Sequence, residues 1–270
     1  MTAPALSVPS PNGRMYRHPS KMSEVPSITN IIGMKDKPAL KWWAARQAAE
    51  FAANNLDTLK ALSVQERIDL IKGAPFRGTK DASNVGSIVH DWIDQWIKGG
   101  SSPLALSDSG QTNDAWGDAP WQARAMWAQF GALVRKYRPR FVFSEFTVWS
   151  DTHGYAGTAD WAARIGSCYV LGDTKTGKGV YPEVGMQLAA IANADTIISP
   201  DGVETPIDKF DRFAVLHVRP RSASLIPVTG IDECFKALLG LRAVFDFQVN
   251  HSENVLGYAP KISATGGSDD

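Results

Sequence analysis

Cysteine is nearly absent from this chain. Cys168 and Cys234 are its only two, too few for a disulfide framework or a four-cysteine cluster. No iron–sulfur cluster held within one chain is therefore expected. Net charge is missing as well: 28 basic residues balance 28 acidic ones. No overall basic field draws the chain to nucleic acid, so any grip on phosphates must come from local patches. No apolar run is long enough to span a bilayer, and the N-terminus lacks the apolar stretch of a signal peptide. A cytoplasmic protein with no membrane partner is the expectation. No period of 20–50 residues repeats, which argues against a solenoid. What remains is 270 residues, 44% apolar, enough for one domain with a full core.

Residues 1–27 are rich in Pro and Ser ("MTAPALSVPSPNG") and read as a flexible segment. Residues 259–270 read as a flexible tail. A single domain spans 28–258. Within it, helices are predicted at 38–55, at 63–73 with Ser63 and Glu66 placed as a capping box, and at 83–100. The third carries Val85, Ile88, Val89, Trp92, Ile93 and Trp96 at helical spacing and ends at Gly99-Gly100. A loop follows at 101–114, then a helix at 119–137 stopped by Pro139. The texture then changes. "RFVFSEFTVWS" (140–150), "GTADWAARI" (157–165) and "CYVLGDTK" (168–175) read as strands. A helix at 183–195, a strand at 212–218 and a helix at 231–247 complete an α/β chain.

The stretch "YVLGDTKTGKG" (169–179) supports two incompatible readings. One is geometric. If Gly166-Ser167 is a two-residue turn with Gly first, Ile165 faces Cys168. Counting back in step brings Asp160 opposite Asp173. Opposed Cβ atoms lie roughly 4.5–5.5 Å apart, so two carboxylates there repel without a cation or a shared proton between them. Lys175 shares the face of Asp173. If Asp151 to Gly154 form the previous turn, Glu145 also falls opposite Asp160, unless Gly157 marks a bulge. Gly157 and Gly172 leave room for another group to approach closely.

The other reading is a nucleotide-binding loop, since Gly172 to Lys178 spells G-x-x-x-x-G-K. It needs Ser or Thr next and then a helix. Gly179 stands there instead, Pro182 follows, and Asp173 would repel phosphate. The metal-acid reading is preferred.

"GSIVHDWID", "GTADW", "GDTKTGK" and "GMQLAAI" resemble, in order and spacing, the motifs of RecB-like nucleases of the PD-(D/E)XK superfamily, which includes phage and CRISPR-adaptation exonucleases. The resemblance covers about residues 84–220. It implies a restriction-endonuclease-like core: helix, three strands, helix, strand, around a central mixed sheet, with extra N-terminal and C-terminal helices. It also implies His90, Asp160, Asp173 and the Thr174 carbonyl as ligands for Mg2+ or Mn2+. Lys175, Gln187 and Glu145 take catalytic or supporting roles. Two departures matter. The family often has a tyrosine four residues after the glutamine, where this chain has Ile191; Tyr181 is the candidate replacement. The cysteine-rich iron–sulfur staple of some members is missing.

The resemblance implies a metal-dependent DNA exonuclease of phage or prophage recombination, acting in the host-cell cytoplasm. A single-strand annealing protein is a partner by analogy. The alternatives are a structure-dependent endonuclease and a non-catalytic nucleic-acid-binding protein. Lys178, Tyr181, Arg219 and Arg221 are the expected DNA contacts, with "RKYRPR" (135–140) as a further basic patch. Trp42, Trp43 and Arg46 read first as core packing, and second as a surface for stacking on unpaired bases.

Overall fold

The computed structural model describes residue 4 and residues 6–99, 119–199 and 201–257. The predicted loop at 101–114 and the tail at 259–270 lie outside the described residues.

The N-terminal segment read as flexible is largely a small antiparallel sheet. Its strands are β1 (Ser7–Ser10), β2 (Gly13–Arg17) and β3 (Glu24–Pro26). Gly13, at φ 91°, makes the turn between the first two. Composition misled here because the stabilising contacts are tertiary. Tyr16 is 1% exposed, and its hydroxyl hydrogen-bonds Thr158 Oγ1 at 2.9 Å. The buried His18 ring accepts the backbone N–H groups of Ser20 and Lys21 at Nδ1, at 3.1 and 3.0 Å. Two anchoring rings outweigh the local excess of Pro and Ser.

The helices α1 (Ile28–Ile32), α2 (Pro38–Asn54) and α3 (Leu56–Lys60) follow. The helices predicted at 63–73 and 83–100 are one continuous helix, α4 (Val64–Ile97). The capping box at its start is present: Ser63 N–H donates to Glu66 Oε2 at 2.9 Å. Gly73 and Pro75 do not end the helix. Proline removes one backbone bond, and the Arg77 guanidinium serves the Leu70 carbonyl nearby at 3.0 Å. Gly99, at φ 72°, closes the helix as predicted. Helix α5 (Trp121–Tyr137) stops before Pro139 through a left-handed Arg138.

The main sheet holds β4 (Arg140–Ser150), β5 (Tyr155–Ile165), β6 (Cys168–Lys175) and, after α6 (Glu183–Ala192), β7 (Thr196–Ile198), β8 (Glu204–Pro206), β9 (Arg212–Arg219) and β10 (Ser222–Val228). Helix α7 (Ile231–Asp246) follows. The strand order is β10-β9-β6-β5-β4-β7-β8, with β6 and β9 parallel and the other neighbours antiparallel. This is an α/β fold on a mixed sheet. Sequence reasoning missed β7 and β8, which are too short to show alternation. It also missed β10, whose Pro227 reads as loop but is tolerated on an edge strand.

Apolar side chains cover both faces. Ile28, Ile31, Leu188, Ile191 and Leu238 pack α1, α6 and α7 against one. Val89, Ile93, Trp127 and Phe130 pack α4 and α5 against the other, together with Trp161 of β5.

The predicted register of β5 and β6 is present, from Ile165 opposite Cys168 to Trp161 opposite Gly172. Between β4 and β5, Ser144 pairs with Trp161 and Phe146 with Ala159, so the count brings Glu145 beside Asp160. The bulge lies at Phe141–Phe143 and not at Gly157. Facing, however, reverses between those pairs. Residues two apart on a strand ordinarily share a face. Phe146 and Ala159 pack toward α6 and α7, whereas Trp161 packs toward α4 and α5 and Ser144 bonds Asp94 of α4 at 2.6 Å. Glu145, at φ 48°, absorbs the turn in a left-handed conformation uncommon for a residue with a side chain.

The close approaches predicted at the two glycines are made by the protein itself. A Cβ on Gly172 would lie 1.9 Å from the Trp161 ring, and one on Gly157 2.4 Å from Ile28 Cδ1. Trp161 is a rigid buried ring, while the Ile28 methyl can turn aside. Gly172→Ala is therefore expected to cost about 3 kcal/mol or more, and Gly157→Ala about 1 kcal/mol. Urea denaturation of both variants checks the ranking.

Candidate metal centre

Three elements meet where the facing of β4 and β5 reverses. Helix α4 comes close because Gly86 has no side chain: a Cβ there would stand 2.7 Å from Thr176 Oγ1, in the loop after β6. One turn further on, His90 Nδ1 lies 3.7 Å from Asp160 Oδ2. Asp160 also accepts the Thr174 backbone N–H at 2.7 Å, which ties β5 to β6 just past their last paired residues. Among the described residues, one set of three brings potential ligand atoms together. In His90, Glu145 and Asp160 these atoms all lie within 4.8 Å of one another.

Asp173 is 1% exposed and turns toward Lys175. Lys175 Nζ hydrogen-bonds its Oδ1 at 2.9 Å. The same ammonium is 2.7 Å from Oδ2 but out of line for a hydrogen bond, which leaves that oxygen without one. The Oδ1 contact is the hydrogen bond of the pair, good in both distance and direction. The Thr174 hydroxyl is likewise buried without a partner. These residues line a cleft of about 310 Å³ together with Gln187 of α6 and with Arg14, Tyr16, Ser27 and Ile28.

The grouping differs from the sequence expectation in one respect. Asp160 and Asp173 were the expected principal ligands, with Glu145 in support. The structure places Glu145 with His90 and Asp160, and Asp173 with Lys175. Glu145 joins the set because the left-handed backbone at that residue redirects its side chain, and no local sequence pattern announces this.

Electrostatics follow from the crowding. Burial pushes the Glu145 carboxyl up to about 7, helped by Asp160 and Asp94. Burial also raises Asp173, helped by Asp160 and opposed by Lys175. In both, loss of water is the larger cause and the charge of Asp160 the next.

Other expected residues lie further out. Lys178 and Arg221 are exposed, and Tyr181, 70% exposed, does not line the cleft. Ile191, at the family's tyrosine position, is buried in the core. Arg219 donates to the Thr176 carbonyl at 3.1 Å, and His217 Nε2 lies 3.0 Å from the Gly177 carbonyl. Arg219 thus fixes the loop after β6. That loop does not run into a helix: α6 begins only at Glu183, after Pro182, which disfavours the nucleotide-loop reading. The "RKYRPR" patch is exposed at the other end of β4, where Arg140 lies roughly 16 Å along the strand from Glu145. Trp42, 78% exposed, does not pack in the core, and α2 buries none of its residues. Arg46 is paired with Glu50 at 2.7 Å. Sequence reasoning missed Arg14 and Tyr16, which belong to the segment read as flexible.

No protein-family model matches the chain, and no curated protein matches it. Among the described residues, no helix is long and apolar enough to cross a membrane.

A pH dependence follows from the raised carboxyls. An acid whose pKa is higher in the folded state stabilises the fold below its ordinary value, near 4, and that contribution is lost as pH rises through the folded value. In EDTA, wild type is therefore expected to lose stability between about pH 4 and 7. Asp173→Asn, which has no charge to bury, should melt above wild type at pH 8 and close to it at pH 4. Thermal denaturation in EDTA at the two pH values checks both statements.

Proposed function

We propose that this chain is a metal-dependent DNA exonuclease built on a restriction-endonuclease-like core of the RecB-like PD-(D/E)XK kind. The observation that carries the reading is the joint geometry of the acids and the lysine. Ligand atoms of His90, Glu145 and Asp160 lie within 4.8 Å of one another, and Lys175 pairs with Asp173 in the same cleft. The order α5, β4, β5, β6, α6, β9, with β9 parallel to β6, supports the core assignment.

The residues present fit a divalent cation. Carboxylates suit magnesium or manganese, and the imidazole favours manganese of the two. The Glu145 carboxyl, raised by burial and by Asp160, is one that a bound cation would favour in its charged form. His90, Glu145 and Asp160 would hold the ion, with Asp173 and the Thr174 carbonyl beside them. When bound, such an ion polarises a phosphate and makes its water a better nucleophile.

The side chains supply the rest. Lys175, 37% exposed and anchored by Asp173, presents an ammonium that orients the attacking water and offsets charge developing on the phosphate. Asp173 holds that ammonium in place. Gln187 projects into the cleft from α6, where its amide can position the lysine, the water or the DNA strand. Lys178 and Arg221 add exposed positive charge for backbone phosphates. Among the described residues no base-reading module is evident, so sequence-specific cleavage is not proposed. Phage or prophage DNA recombination in the host-cell cytoplasm is the proposed setting, and a single-strand annealing protein the proposed partner.

The decisive assay compares end-labelled linear DNA with covalently closed circular DNA, in manganese, magnesium or EDTA. Wild type is expected to degrade the linear form alone, and only with metal. Lys175→Ala should lower the rate at least ~100-fold. Cutting of the circle supports the structure-dependent endonuclease instead. A folded protein that cuts neither form, with any metal and with single or double strands, sinks the nuclease reading in favour of nucleic-acid binding alone.

A further inference from the structure

The cleft is lined in part from the N-terminal segment, and that part carries one cation. Arg14 lies two residues before Tyr16 on β2, so both project from one face of that strand. Tyr16 is locked to β5 through Thr158, two residues from Asp160. Burial raises the pKa of the Tyr16 hydroxyl, and its bond to Thr158 and the nearby Arg14 guanidinium oppose that rise. The backbone at Arg14 is also held. Its carbonyl accepts the Ser27 N–H at 3.1 Å and lies 3.4 Å from Asn30 Nδ2, which bonds the Asn12 carbonyl as well. The other cation lining the cleft, Lys175, is committed to Asp173. Arg14 forms no ion pair with a carboxylate among the described residues, although it borders a cleft lined by three acids.

We propose that Arg14 is a substrate-positioning residue that binds a phosphate of the cleaved DNA strand and holds it in the cleft. The proposal rests on the nuclease reading above and adds a residue from outside the motifs that suggested it. Chemistry favours this assignment. A phosphate entering a cleft lined by three acids needs a cationic donor, and a guanidinium gives two parallel N–H groups that match two phosphate oxygens. Fixing the backbone of Arg14 from Ser27 and Asn30 reduces the freedom lost on binding. The small N-terminal sheet then becomes part of the binding site.

The test uses the full chain and a short fluorescent DNA duplex, with calcium in place of manganese to hold cleavage back. Binding is read by anisotropy across a salt series, and cleavage is measured separately in manganese. Arg14→Ala is expected to weaken DNA binding roughly 10- to 100-fold and to lower the salt slope by about one. Arg14→Lys should recover part of the binding. The stabilisation of the protein by manganese alone, read by melting, should stay at the wild-type value. Arg17→Ala removes the same charge from the same strand, where Arg17 pairs with Glu24 at 3.2 Å, and should bind as wild type does. An Arg14→Ala protein that binds and cuts like wild type overturns the proposal and leaves the nuclease reading standing. So does an equal loss in Arg17→Ala. Wild type that neither binds nor cuts DNA overturns both.

Discussion

Glu145, Asp160 and Asp173 repel one another in a cleft that water reaches only in part, and the surrounding structure holds them together against that repulsion. Each is attached to something that cannot easily retreat. Asp160 is tied to the Thr174 backbone at 2.7 Å, and Asp173 to Lys175 at 2.9 Å. Glu145 is committed by a left-handed backbone inside a strand. The helices and side chains that cover the two sheet faces supply the stability to sustain this. Trp161 fills the space left by Gly172 on one side, and Ile28 that left by Gly157 on the other. The two glycines therefore serve the site indirectly, by letting large side chains lock the strands that bear the acids.

Much of the architecture was legible because it rests on local signals. Alternation gave β4, β5 and β6 within a few residues, and the Gly166-Ser167 turn fixed the register that brings Asp160 toward Asp173. The Ser63 capping box marked the start of α4 correctly. The errors share a cause. Gly73 and Pro75 signal a helix end locally, but a helix already nucleated and packed continues through one lost bond. Residues 7–26 look like mobile chain by composition, yet they fold because Tyr16 and His18 bury far from their sequence neighbours.

The site was legible in its members more than in its arrangement. A count along two hairpins finds Glu145 beside Asp160, but no count reveals that the strands reverse facing there. That reversal lets Glu145 join His90 and Asp160, while Lys175 meets Asp173 on the shared face of β6. Arg14 and Tyr16 were invisible for a different reason. Nothing in "GRMYR" refers to β5, and only the Tyr16–Thr158 bond places that strand against the cleft.

The crowding of the acids is also what the proposed chemistry requires. A cation that binds such a site relieves repulsion already present in the folded chain, so little rearrangement is needed when it arrives. Glu145 and Asp173 weaken the metal-free fold at neutral pH, because each must ionise where burial opposes it. Stability without metal and readiness for metal thus pull against each other at Glu145 and Asp173. Lys175 mediates between them. It offsets part of the Asp173 charge, and it remains exposed enough to reach the phosphate of the proposed substrate. Replacing it by a neutral residue would remove the proposed water-orienting group and leave Asp173 buried against Asp160 with no cation of the protein's own.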